Sequence, residues 1–137
     1  MEAWASERTG TLAERSAAAA GLVLALVLLR LPFRHTVAAA RLARRLGCRP
    51  LLAPQAEALV AAVRHHGRLW PGRVACVETS LAAVLAASLM RRRLTWCWGV
   101  RFAPPPVEYH AWPELPGHGP VGEYTTAGWH HHTALCI

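Results

Sequence analysis

Residues 76–100, "CVETSLAAVLAASLMRRRLTWCWGV", decide the fold, because the pattern changes period part-way along. Val77, Leu81, Val84, Leu85 and Leu89 recur at helical spacing and predict a helix from Cys76 to about Arg91. Beyond Arg91–Arg93, the stretch Leu94–Val100 is rich in aromatic and β-branched residues and predicts a strand. Downstream, Pro104-Pro105-Pro106 predict a stiff connection. Tyr109–Leu115 reads as a second strand, "PGHGP" (116–120) as a turn and His131–Ile137 as a last strand.

Upstream the pattern is helical. Thr11 and Glu14 form a T-x-x-E capping box. From Ala17 to Leu29 every residue is apolar or glycine, until Arg30 and Pro32 break the run. A spanning helix needs about 20 such residues, so a buried or membrane-surface helix is expected, with a signal or anchor segment as the rival. A second helix is expected over Thr36–Leu46, capped by Thr36 and closed by Gly47 in a left-handed conformation, with Arg41, Arg44 and Arg45 on a solvated face. A third runs from Pro54 to about His66, stopped by Gly67, and Pro71-Gly72 make a turn. Helices first and antiparallel strands afterwards make an α+β domain, expected over residues 36–137, with residues 1–35 as an apolar helix and extension.

The chain has 137 residues, enough for one modest core. It carries a formal charge of +7, entirely through arginine, and it lacks lysine, aspartate and asparagine. The arginines are scattered along helices rather than gathered with exposed aromatics, which argues against nucleic acid. A basic face could still meet an acidic peptide or partner. Cys48, Cys76, Cys97 and Cys136 lie far apart with no CxxC, and reduced cytosolic thiols are expected. Consecutive strand residues point to opposite faces, so His130, His131 and His132 are not expected to converge on one ion with Cys97 or Cys136. No metal or cofactor is expected.

Cys76 at a helix start and His110 inside a strand pattern are the candidate nucleophile and base. A helix N-terminus stabilises an anion by about 0.3–1 kcal/mol at exposed sites, and one pKa unit is about 1.4 kcal/mol. The helix alone therefore leaves the thiol mostly protonated, and a histidine at hydrogen-bond distance is required. The Cys76 backbone N–H could donate to a developing oxyanion, with Trp70 as a candidate second donor. Gln55, the only glutamine, lies on another helix. Because aspartate is absent, any carboxylate orienting His110 must be a glutamate: Glu108, Glu114, Glu123 or, more remotely, Glu78. Strand alternation puts Glu114 on the His110 face. The competing reading is packing: cysteines are among the most buried residues, which suits Cys48, Cys97 and Cys136, and His110 could be a satisfied core histidine.

"CVETSLAAVLAASLMRRR", "WCWGVRFAPPPVEYHAWPEL" and "GPVGE" together resemble the lasso-peptide leader peptidases, the stand-alone protease half of the split B protein in the transglutaminase-like superfamily. The likeness covers roughly residues 30–125. It implies a transglutaminase-like, papain-like cysteine protease core in the domain 36–137, with Cys76 as nucleophile, His110 as base and Glu123 at the acidic position. Val77 stands where the family has Leu, and Pro113 replaces the Val of H-A-W-V-E. The "LPGHGP" turn is longer by about one residue, which leaves Glu114 as runner-up to Glu123. The resemblance implies cytoplasmic removal of a leader from a ribosomally made lasso precursor. Its partners would be a separate leader-recognition protein and an ATP-dependent cyclase. A different acyl transfer on the same fold, or an inactive helical adaptor docked through the N-terminal apolar helix to a partner or membrane, are the alternatives.

Overall fold

The computed structural model describes residues 11–72, 74–102, 108–122 and 130–137, without the side chains of residues 101, 102, 130 and 131. Its elements are α1 (Leu12–Leu28), α2 (Phe33–Leu46), β1 (Arg49–Pro50), α3 (Ala53–Leu69), α4 (Cys76–Leu89), β2 (Arg92–Arg93), β3 (Thr95–Phe102), β4 (Glu108–Leu115), β5 (Gly119–Pro120) and β6 (His130–Cys136). Helices precede an antiparallel sheet of order β5-β4-β3-β6, so the fold is α+β as the sequence predicts.

The Thr11–Glu14 capping box forms: the Glu14 amide donates to Thr11 Oγ1 at 3.2 Å and the Thr11 amide to Glu14 Oε2 at 3.0 Å. From there α1 buries Ala17, Ala18, Gly21, Leu22 and Ala25 while leaving Val23, Leu24 and Val27 exposed. Its small residues allow close approach to α4, which is buried from Ser80 to Ala87 and forms the centre of the core. Among the described residues no helix is long and apolar enough to cross a membrane.

Several local expectations are corrected. Pro32, extended at φ −52° and ψ 140°, is the N-cap of α2, so the helix starts at Phe33 rather than Thr36. Thr36 is buried inside it and donates from Oγ1 to the Leu28 carbonyl at 3.1 Å, tying α2 to the end of α1. Gly47 ends α2 at φ −71° and ψ 107°, not in the left-handed region. Its missing Cβ matters for a different reason: a Cβ there would lie 2.7 Å from the Arg92 carbonyl oxygen. Gly67 does not stop α3, which continues to Leu69. Between α4 and β3, Arg92 and Arg93 pair in parallel with Arg49 and Pro50. The triple-proline connection lies outside the described residues.

Trp96 and Trp112 are both fully buried, and Trp96 joins the sheet to the helices. The Trp96 indole N–H donates to Ser80 Oγ on α4 at 2.9 Å, and Ser80 donates onward to the Val77 carbonyl at 3.2 Å. β3 lies between β4 and β6, with Cys97 opposite Trp112 on one side and Cys136 on the other. That register brings Cys97 and Cys136 together as a disulfide, so the expectation of reduced, separately packed thiols is corrected for this pair; Cys48 and Cys76 are free.

Candidate active site

Cys76 is the first residue of α4, preceded by Ala75 in an extended conformation (φ −111°, ψ −166°). Neither residue can cap the helix with an oxygen. Glu78 instead reaches back and accepts the Ala75 amide at 3.0 Å, which fixes the angle at which the chain enters the helix. The first-turn amides have no partner within the helix, so the Cys76 sulfur sits where an anion is favoured.

β4 brings the second half of the site. Backbone groups of successive strand residues point alternately to the two sides. The Pro113 carbonyl accepts the Val121 amide at 2.9 Å, so the odd-numbered residues of β4 face the β5 side. Among the described residues β5 pairs with Glu114 and Leu115 alone, and no strand partner takes the Ala111 amide. It donates to the Cys76 sulfur instead. The same parity explains why Pro113 is tolerated: the amide it lacks would face the β5 side, not the β3 ladder.

The half-buried Cys76 thiol is hydrogen-bonded to the His110 side chain, and this bond is the largest influence on its pKa. Burial opposes it by raising the pKa. The Ala111 amide and the charge of His110 lower it, and the Glu78 carboxylate raises it. The net result lies below the ordinary thiol value. The required imidazole is thus in place, with its ring stacked on Trp112 two residues along the same strand face (centroids 6.0 Å apart, planes at 23°).

Cys76 and His110 open onto a cleft of about 550 Å³. Trp70, at the end of α3, lines the same cleft, and so do Arg64 and Arg68. The two arginines are one turn apart on the helix face that also carries Val60. Sequence reasoning missed them, although the spacing 60, 64, 68 was the available signal. It missed the Ala111 amide as well, which no side-chain pattern announces.

The carboxylates separate. Glu114 points to the disulfide, with Oε2 3.4 Å from Cys97 Sγ and 3.9 Å from Cys136 Sγ. It stands four residues from His110, about 13 Å along an extended strand. Glu108 is exposed at the start of β4, and Gln55 is turned to the Leu52 amide at the start of α3. Glu123 lies outside the described residues. Its neighbour Gly122 has φ +72°, and a Cβ there would meet Val60 Cγ1 at 2.5 Å. Glu57 on α3 accepts the Gly122 amide at 3.0 Å. Residue 122 is therefore pinned against Val60 and Arg64, both of which line the cleft.

The sulfurs of Cys97 and Cys136 and the Glu114 carboxylate lie within 4.8 Å of one another, a spacing that could hold a metal ion. With the sulfurs joined, the two thiolates that would bind it are not available.

No curated protein and no solved structure matches the chain significantly. A family model does: the transglutaminase-like superfamily matches residues 8–134, which takes in α1, the Cys76–His110 pair and the sheet as far as Ala134. That superfamily includes cysteine peptidases and acyltransferases. A cysteine opening a central helix, met by a histidine from the adjoining strand, fits it, and the chain belongs to the transglutaminase-like superfamily.

Proposed function

We propose that this protein is a cysteine peptidase that removes the leader from a ribosomally made lasso precursor, before a separate ATP-dependent cyclase closes the macrolactam. The observation that carries the peptidase reading is the hydrogen bond between the Cys76 thiol and His110 at a helix N-terminus, on the wall of an open cleft. The choice of precursor rests on the likeness of residues 76–93, 96–115 and 119–123 to the leader peptidases.

Cys76 attacks the carbonyl at the leader–core junction and His110 takes the thiol proton. The carbonyl oxygen gains charge against the Cys76 amide, with the Trp70 indole as second donor. As the tetrahedral intermediate collapses, His110 returns its proton to the leaving amine, and water then hydrolyses the thioester. Glu123 orients the imidazole. Glu114 is the weaker candidate for that role, because its carboxylate already sits at Cys97 and Cys136. A leader-recognition protein delivers the precursor in the cytoplasm.

The test is mass analysis of a lasso precursor incubated with this protein and its recognition partner. Two fragments whose masses together exceed that of the intact precursor by one water support hydrolysis. A product in which an added amine replaces that water assigns acyl transfer instead. Loss of cleavage in Cys76→Ala and His110→Ala is expected, and Glu123→Gln should slow it more than Glu114→Gln. The reverse order would move the orienting role to Glu114.

A further inference from the structure

α4 carries Cys76 at one end and hands the chain to β2 at the other. Fourteen helical residues span about 20 Å, so what lies beyond Leu89 is remote from the thiol. There the end of α2 meets β2 and the end of β6 in a second cleft, of about 380 Å³. Arg41, Arg44 and Arg45 line it from α2, and Arg93 from β2. The close approach at Gly47 draws the two groups together.

The charge in this cleft is not balanced. No glutamate lines it among the described residues. Ile137 lines it too, but its carbonyl oxygen already accepts the Trp96 amide at 3.2 Å. Arg93 supplies an independent observation: its Nε is buried and has no hydrogen-bond partner among the described residues. A buried donor without an acceptor is costly and calls for explanation. An incoming oxyanion would satisfy it, since a guanidinium offers paired N–H groups suited to a carboxylate.

The surroundings select the kind of oxyanion. Leu42 and Leu46 are exposed, one turn apart and adjacent to the Arg41–Arg45 row. Alternating rows of arginine and leucine match a peptide that carries both carboxylates and apolar side chains. A nucleic acid would instead favour aromatic platforms beside the charge, and none lines this cleft among the described residues. We infer that the Arg41–Arg44–Arg45–Arg93 cleft is a docking site for an acidic, partly apolar peptide segment of a partner protein, separate from the thiol site.

The test uses the full chain and a short fluorescein-labelled peptide of repeated Glu-Glu-Leu, followed by fluorescence anisotropy at low salt, with circular dichroism to verify that each variant is folded. Arg41→Gln with Arg45→Gln should weaken binding at least about tenfold. Arg15→Gln with Arg30→Gln removes the same charge from exposed positions on and just after α1, and should change it less than about twofold. Arg93→Lys keeps the charge but removes Nε, and should weaken binding severalfold. Equal losses in both double variants would reduce the effect to net charge and overturn the proposal. So would failure of the peptide to bind, or tighter binding of a uridine oligonucleotide than of the peptide.

Discussion

Gly21→Ala should destabilise this protein, although alanine is the better helix former. The substitution adds one Cβ on the buried face of α1. That atom would lie 2.5 Å from the Ala82 carbonyl oxygen and 2.9 Å from both the Ala86 Cβ and the Ala86 amide nitrogen. All three belong to the backbone or first side-chain carbon of α4, so no rotamer change relieves them. An ordinary carbon–oxygen contact is about 3.3 Å, so the helices must part by about 0.8 Å. Overpacking of this kind typically costs about 1–3 kcal/mol. Replacing a helical glycine by alanine returns up to about 1 kcal/mol, so the packing term wins. We expect a net loss of about 1–2 kcal/mol. At roughly 3–5 °C per kcal/mol for a chain this size, the melting temperature should fall by about 3–10 °C, followed by circular dichroism. Ala20→Gly, on the exposed face of the same helix, isolates the propensity effect and should cost about 0.5–1 kcal/mol. A Gly21→Ala protein that melts above the parent would refute the close α1–α4 packing on which the centre of the fold depends.

Three further outcomes follow from the same geometry. A thiol electrophile should label Cys76 at lower pH than an ordinary cysteine, because its pKa is lowered chiefly by His110; His110→Ala should move the labelling profile to higher pH, and an unmoved profile would disconnect the pair. The sign for stability follows: a depressed folded-state pKa stabilises the protein above the unfolded value, and the contribution is lost as pH falls through the folded value. Ser80→Ala leaves the buried Trp96 indole without its acceptor and should cost about 1–3 kcal/mol in denaturant unfolding, whereas Ser80→Thr should restore part of it. Reduction, or Cys136→Ser, opens a disulfide spanning 39 positions and should lower stability by up to about 4 kcal/mol, read as a reductant-dependent melting temperature; a melt indifferent to reductant would mean that the bond is not part of the stable fold.

What the sequence reveals of this protein depends on how local each cause is. The capping box, the helix beginning at Cys76 and the strand around His110 are written in neighbouring residues, and they appear where the pattern puts them. The errors arise where a distant segment overrides a local signal. Thr36 looks like a cap, but the proline four residues earlier starts the helix first and the hydroxyl turns to Leu28. Gly47 looks like a left-handed stop, but its lack of a side chain serves the approach of Arg92 and Arg93, which lie far along the chain. Cys97 looks like inert packing between two tryptophans until the last strand returns to the open side of β3 and sets Cys136 opposite it. The candidate site divides the same way. Its reactive side chains are legible because chemistry restricts which residues can serve. The Ala111 amide that donates to the sulfur is not, because its direction follows from strand parity and from where β5 stops pairing. Substitution of Ala111 would therefore leave the amide in place, and the donor can be removed only by proline or by shifting the register of β4.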